Sequence, residues 1–95
     1  MWTKYISGYK MFLKLEKSLS ENSIEAYLND VFKLKQFLEY HKFNLSPTAL
    51  ELRHLQQFLE WVNQLGMDAR TQARVTSGIR SFYKYLILEE IIQAD

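Results

Sequence analysis

Residues 68–88 read Asp68-Ala-Arg-Thr-Gln-Ala-Arg-Val-Thr-Ser-Gly-Ile-Arg-Ser-Phe-Tyr-Lys-Tyr-Leu-Ile-Leu88, and the rest of the chain is organised around them. At about 100° per residue its large apolar side chains gather in one sector, which predicts a helix with one buried side. These side chains are Val75, Ile79, Phe82, Tyr83 and Leu86. Asp68 is expected to begin the helix, because an N-cap carboxylate accepts hydrogen bonds from the free N–H groups of the first turn.

The opposite side of this helix is basic. An arc of about 120° contains no acidic residue. Its members are Arg70, Ala73, Arg74, Ser77, Arg80, Ser81 and Lys84. A face that meets only solvent usually mixes charge signs, since Glu–Lys pairs one turn apart stabilise the helix. Positive charge and hydroxyl groups suit a phosphate backbone, so this helix alone leaves nucleic-acid contact and a basic solvent face equally open.

Length and composition limit the class of protein. Ninety-five residues make one domain, and 47% hydrophobic residues with 15% aromatic residues predict a packed globule rather than a disordered chain. The absence of cysteine excludes disulfides and thiolate metal sites. No apolar run approaches the roughly 20 residues of a membrane span, and the start lacks a signal-peptide pattern. We therefore expect a cytoplasmic protein without a membrane partner.

The net charge of +1 hides an uneven distribution. Residues 1–20 carry four lysines and one glutamate, which gives +3, and residues 68–84 carry four basic side chains and one acidic, again +3. Residues 21–67 sum to −2 and residues 85–95 to −3. The small total argues against a protein that wraps DNA by charge alone, but the distribution allows a basic face.

Apolar periodicity predicts three helices before the fourth. The first covers residues 2–16, and the second runs from a Ser20 cap to about His41. The third begins either at a capping box over residues 48–51 or near Glu51, and Gly66 is expected to end it in the left-handed conformation. With no strand signal, the predicted fold is all-α with four helices. The side chains expected to be buried in these three helices are Trp2, Tyr5, Ile6, Tyr9, Phe12, Leu13, Ile24, Tyr27, Leu28, Val31, Leu34, Leu38, Leu52, Leu55, Phe58, Leu59 and Val62.

No set of residues indicates catalysis. A hydrolytic site needs convergent carboxylates, a nucleophile with its base, or metal ligands, and none of these is present in the sequence. His41 and His54 stand apart from any carboxylate cluster and are expected at the surface or its boundary. We expect a domain that is not an enzyme, without metal or cofactor.

Three segments resemble a known family. Leu19-Ser-Glu-Asn-Ser-Ile-Glu-Ala-Tyr-Leu-Asn-Asp30 is similar to the LS-x-N-T-x₃-Y-x₂-D signature of Xer-type tyrosine recombinases. Leu55-Gln-Gln-Phe-Leu59 with Leu65-Gly66 resembles the next part of that pattern, and residues 69–86 resemble its arginine-rich helix. The segments follow in order and at the right spacing over nearly the whole chain. The chain departs from the pattern at Ser23, Asp68, Thr76 and Gly78.

The resemblance implies the N-terminal core-binding, or SAM-like, domain of a Xer-type recombinase or phage-type integrase over residues 1–95. In that family four helices form one arm of a clamp around duplex DNA, and the second and fourth helices approach the major groove. The catalytic groups belong to a separate C-terminal domain, so none of the six tyrosines here is expected to be the nucleophile. The implied partners are duplex DNA, that catalytic domain and other protomers of a tetramer.

Carried over onto this sequence, the resemblance implies a set of DNA contacts on the second and fourth helices. They are Asn22, Ser23, Arg70, Thr71, Arg74, Ser77, Arg80 and Lys84. Capping alone explains Asn22 and Ser23 equally well, although free N–H groups at a helix start favour an anion. Lys33 and Lys35 are weaker candidates, and the family's Tyr27, Phe82 and Tyr83 are assigned to the core.

A helical protein–protein interaction module is the alternative. Its basis is an apparent excess of aromatic side chains over what a small core requires, since exposed apolar patches indicate partners. These side chains are Trp2, Phe32, Phe37, Tyr40 and Trp61. DNA binding should weaken steeply with salt, whereas apolar association should not. The sequence leaves open whether the parent protein resolves chromosome dimers or integrates a mobile element.

Overall fold

The computed structural model describes residues 2–93, which form four α-helices and one short 3-10 helix. The bounds are α1 Trp2–Leu15, α2 Glu21–Tyr40, the 3-10 helix Pro47–Ala49, α3 Leu52–Gln64 and α4 Ala69–Leu88. No strand occurs within these described residues. The prediction of an all-α fold with four helices is confirmed.

Local signals fix three of the helix ends. The Ser20 hydroxyl accepts a hydrogen bond from the Ser23 N–H at 3.3 Å, and Asp68 Oδ1 accepts one from the Thr71 N–H at 2.7 Å. The same Thr71 hydrogen bonds lower the pKa of the Asp68 carboxyl. Gly66 follows α3 with φ of +81°, a conformation that costs glycine little because it lacks a Cβ. The predicted caps at Ser20, Asp68 and Gly66 are confirmed.

The start of α3 corrects one expectation. Residues 47–49 form the 3-10 helix, so the capping box expected over residues 48–51 is wrong, and α3 starts after Glu51. The Glu51 N–H donates to His54 Nδ1 at 2.9 Å, while the His54 ring meets Phe43 edge-on with centroids 5.2 Å apart. His54 is 4% exposed. The expectation of a surface His54 is wrong, because its ring caps the helix and packs on Phe43; His41 is exposed as expected.

The fourth helix lies at the centre of the core and packs against the other three helices. Tyr9 of α1 meets Phe82 edge-on and lies beside Tyr85, with centroid separations of 5.2 and 5.5 Å. Most of the expected core side chains are buried or half-buried. Leu52 and Leu59 are the exceptions, at 70% and 38% exposed. They line an open apolar groove between α3 and α4, because α3 packs mainly on α2 and α4 and its apolar stripe is only partly covered.

The aromatic side chains that suggested an interaction surface belong mostly to the core. Trp2 is 6% exposed, and its indole N–H donates to the Leu45 carbonyl at 2.9 Å. Phe37 is 1% exposed and packs against Phe58 and the half-buried Trp61. The expectation that these residues form an aromatic surface is therefore wrong for Trp2 and Phe37. Phe32 and Tyr40 remain exposed.

The helices enclose a body of 35 × 27 × 23 Å. Across residues 2–93, none of the helices combines the length and apolar character needed to cross a membrane.

Candidate nucleic-acid interface

The basic side of α4 faces outward as predicted. Its exposed members are Arg70, Ala73, Arg74, Ser77, Arg80 and Lys84, while the residues of the apolar sector face the core. Ser81 differs from the expected arc, since it is half-buried and accepts a hydrogen bond from the Tyr9 hydroxyl at 2.9 Å. Burial raises the pKa of Tyr9 to about 12, so this hydroxyl stays a donor at neutral pH. Ser81 therefore belongs to the α1–α4 contact.

A small cleft brings residues of α2 and α4 together. It has a volume of about 210 Å³ and includes Ser23 and Tyr27 from α2 with Arg74 and Ser77 from α4. Ser23 is half-buried, and its hydroxyl accepts a hydrogen bond from the Ser20 hydroxyl at 3.1 Å. Ser23 thus serves the cap and also lines the cleft. Asn22 is exposed in the same first turn but does not line the cleft.

A second cleft continues this surface toward the end of α1. It measures about 360 Å³ and is lined by Lys17, Tyr27, Ser77, Arg80 and Lys84 among others. Tyr27 and Ser77 border both clefts, so the two form one continuous surface. Sequence reasoning missed Lys17, which follows α1 and holds its ammonium 5.9 Å from the centroid of the Phe12 ring. The net charge of +3 on residues 1–20 was the one feature of the sequence that could have indicated a basic contact from this segment.

The remaining candidates lie at the margins of this surface. Arg70 is exposed in the first turn of α4, whereas Thr71, Lys33 and Lys35 are half-buried. Within residues 2–93 the only ion pairs are Arg53–Glu51 and Arg74–Asp30. Arg70, Arg80 and Lys84 consequently have no acidic partner in that part of the chain and remain available to an anion.

Arg74 pairs with Asp30, a carboxylate that is buried beneath the basic face. Arg74 Nη1 lies 3.1 Å from Asp30 Oδ1 and 3.2 Å from Oδ2, and only the Oδ2 contact has hydrogen-bond geometry. The Asp30 side chain is 1% exposed and that of Arg74 is 48% exposed. Burial raises the pKa of Asp30 to about 6, against the opposing attraction of Arg74 and Lys33. Asp30 ends the second-helix motif, and no local pattern of residues indicates that Arg74 is its partner.

Gly78 lies against the Asp30 side chain, where the absence of a Cβ leaves space for the carboxylate that pairs with Arg74. A Cβ at Gly78 would overlap Asp30 Oδ2 and would stand 2.8 Å from Asp30 Cβ and Cγ. Helix α4 therefore needs glycine here, even though glycine in a helix interior costs about 1 kcal/mol relative to alanine. The close approach of α2 and α4 at this point is the structural reason for glycine at position 78.

Residues 2–93 contain no cluster of side chains that could hold a metal ion, since no three His, Asp or Glu side chains of this range converge as ligands would. What the surface offers is four cations, hydroxyl groups and a helix start around one continuous cleft. This chemistry suits anions that are spaced along an extended polymer.

Residues 6–90 match the family of phage integrase N-terminal SAM-like domains, and the chain belongs to that family. It is a core-binding domain of the tyrosine recombinase and integrase type, which confirms the resemblance found in the sequence. The chain is 34% identical over 92 residues to the tyrosine recombinase XerC of Pseudomonas syringae pv. syringae, covering 97% of this chain and 30% of that protein. It is 36% identical over 90 residues to the tyrosine recombinase XerD of Staphylococcus saprophyticus, covering 95% of this chain and 30% of the relative.

A third relative is the tyrosine recombinase XerD of Chlorobaculum tepidum, with 30% identity over 90 residues, 95% of this chain and 29% of that protein. The chain thus spans about 30% of the length of these curated relatives. No solved structure matches it significantly.

Proposed function

We propose that this domain binds duplex DNA as one arm of a site-specific tyrosine recombinase or integrase. The observation that carries the proposal is the continuous basic surface from Lys17 to α4, on which Lys17, Arg80 and Lys84 have no acidic partner within residues 2–93. A DNA-binding surface of this kind neutralises phosphates and releases their counterions, and membership of the integrase family supports DNA as the polymer.

The proposed contacts fall into two groups. Arg70, Arg80 and Lys84 bind phosphates and fix the position of the domain on the duplex, with Thr71 at the edge of the footprint. Arg74 and Ser77, beside the α2 start, face the cleft and are placed to reach a base edge, where an arginine pairs best with guanine. Asn22 and Ser23 contribute polar groups and the N-terminal end of α2, which favours an anion.

The whole protein, on this proposal, cleaves and rejoins DNA with a catalytic domain that the described residues do not include. The domain holds one half of a recombination site, and further protomers assemble on paired sites as a tetramer. Such a protein acts in the cytoplasm, in chromosome dimer resolution or in the integration of a mobile element. The names of the relatives, tyrosine recombinases XerC and XerD, support this assignment.

The test is fluorescence anisotropy of the domain on a labelled duplex of about 20 base pairs, or two helical turns. Salt is varied from about 50 to 200 mM, and contact with about five phosphates gives a slope of log K against log salt near −4.5. Changing Arg70, Arg74 and Arg80 together to alanine should flatten the slope by about 2, because Arg70 and Arg80 are the two phosphate contacts among them. The matched control changes three exposed lysines that line neither cleft, Lys4, Lys10 and Lys42, and should change the slope far less.

Half of a clamp binds weakly without the effective concentration supplied by the other half. The titration is therefore repeated with the domain joined to the catalytic domain of the parent protein. Absence of salt-dependent binding in both forms would refute the DNA assignment. Association with another protein that persists at high salt would favour the interaction-module alternative, which lost most of its support when Trp2 and Phe37 proved to be buried.

A further inference from the structure

We propose that Asp30 is a positioning residue for DNA recognition by Arg74. Its buried carboxylate fixes the guanidinium so that the free edge faces the cleft between α2 and α4. The inference rests on the proposed DNA-binding function and identifies, among the basic side chains of that surface, the one that is oriented before DNA arrives.

The contact with Asp30 uses one nitrogen of the Arg74 guanidinium. Only Nη1 of Arg74 approaches the Asp30 carboxylate, at 3.1 and 3.2 Å, and Nε and Nη2 have no hydrogen-bond partner within residues 2–93. The guanidinium is a rigid planar fork, so the Nη1 contact together with the covalent link at Nε limits the directions in which its other N–H groups can point. The edge formed by Nε and Nη2 can pair in a bidentate way with a phosphate or with guanine O6 and N7. The Arg74 side chain is 48% exposed and lines the cleft, so a ligand in the cleft can reach it.

Asp30 is held firmly enough to act as an anchor. It is 1% exposed, and its neighbour Val31 and the next-turn Leu34 are fully buried in α2. On the other side stands Gly78, where any Cβ would overlap the carboxylate. The position of Asp30 is therefore set by the packing of α2 on α4, whereas Arg70 on the same face has no acidic partner within the described range. Arg70 must lose side-chain freedom on binding DNA, and Arg74 has already lost it.

Two simpler roles of Asp30 make different predictions. If the carboxylate contributed only negative charge, Asp30→Asn would tighten DNA binding, because repulsion from phosphate would fall. If it served only to hold α2 against α4, its removal would change stability without a specific link to Arg74. A positioning role requires weaker binding that depends on the arginine being present.

The experiment is a double-mutant cycle with Asp30→Asn and Arg74→Lys, read by anisotropy on the duplex of about 20 base pairs described above. Lysine keeps the charge but lacks the fork. Asp30→Asn should weaken binding about three- to tenfold in the wild-type background, the cost of immobilising one long side chain. In the Arg74→Lys background it should leave affinity unchanged within about twofold, or raise it. The control is Asp30→Asn combined with Arg70→Ala, where the two losses should multiply.

A second measurement needs no substitution at Asp30 and so does not depend on a variant folding. The NMR order parameter of the Arg74 Nε–H in the free protein should exceed about 0.6, while that of Arg70 should lie below it. Equal mobility of the two arginines overturns the proposal. The proposal is also overturned if the wild type binds DNA and Asp30→Asn leaves that affinity unchanged or raises it.

Failure of the proposed function has a different signature. Without salt-dependent binding by the wild-type domain, alone or joined to its catalytic domain, the DNA role of the pair fails together with that function. The order parameters then still report whether Asp30 immobilises Arg74. If the wild type binds DNA but Asp30→Asn weakens binding equally in the Arg74→Lys background, Asp30 does not act through Arg74. The positioning role is then rejected, while the DNA-binding function stands.

Discussion

The hydroxyl of Tyr83 donates a hydrogen bond to the backbone carbonyl of Pro47 at 2.9 Å, joining α4 to the 3-10 helix that precedes α3. The two residues are 36 positions apart in sequence. Burial raises the pKa of Tyr83 above its ordinary value, so the phenol remains a donor throughout the neutral range. This contact holds the α2–α3 connection against the central helix.

Replacing Tyr83 with phenylalanine should remove this hydrogen bond and keep the packing of the ring. We expect the free energy of unfolding to fall by about 1 kcal/mol, measured by urea denaturation. Tyr40→Phe is the control, because Tyr40 is 75% exposed and the same change there should alter stability by less than about 0.5 kcal/mol. Equal effects of the two substitutions would contradict a specific role for the Pro47 contact.

Gly78→Ala should destabilise the domain although alanine favours helices by about 1 kcal/mol. The added Cβ would overlap the Asp30 carboxylate, and crowding of this kind costs about 1–3 kcal/mol in a packed core. Gly8→Ala is the matched control in α1, since its Cβ would meet only the hydroxyl end of Tyr85. Urea midpoints should therefore fall further for Gly78→Ala, and a stabilised Gly78→Ala variant would disprove the steric argument.

The buried Asp30 predicts a pH dependence of stability. Its pKa is raised from 3.8 to about 6, so between these values the folded state binds more protons than the unfolded state. Stability should therefore fall as pH rises from about 4 to 6 and then level off. In Asp30→Asn this part of the pH dependence should be absent from the free energy of unfolding, measured by urea denaturation between about pH 4 and 6. The comparison uses the difference between variant and wild type, because Asp68, whose pKa is lowered, contributes a term of opposite sign in acid.

Lys17 tests the extent of the basic surface. Lys17→Ala should reduce the salt slope of DNA binding by about 1, the effect of losing one phosphate contact. Lys10→Ala is the control, because Lys10 borders a different cleft, between α1 and α2, with Glu21 and Glu25. An unchanged slope for Lys17→Ala would confine the surface to α2 and α4.

Asp68 is the one acidic residue at the start of α4, and its charge should oppose DNA binding. Asp68→Asn keeps an oxygen acceptor for the Thr71 N–H while removing that charge, so affinity at low salt should rise about two- to fivefold. Asp68→Ala loses the cap as well and should lower the thermal midpoint. Unchanged affinity in Asp68→Asn would place the DNA away from this end of α4.

Much of the candidate site could be predicted, because the α-helical repeat alone determines which side chains of a helix share its exposed face. The 100° step placed Arg70, Arg80 and Lys84 on the outer side of α4 without knowledge of its neighbours. The same reasoning could not find Lys17, since the cleft it shares with Arg80 exists only after α1 packs beside α4. Asp30 and Arg74 are 44 positions apart, and no local pattern connects them.

Local patterns in the amino-acid sequence were enough to place the four helices and three of their ends, because caps and periodicity act over one or two turns. Ser20, Asp68 and Gly66 each perform the local role that their residue type predicts. Which apolar and polar side chains are buried depends on the tertiary structure. His54 is buried although polar, whereas Leu52 is 70% exposed although apolar. Burial depends on which helix lies opposite, and that information resides in the packing of α2, α3 and α4 rather than in any one segment.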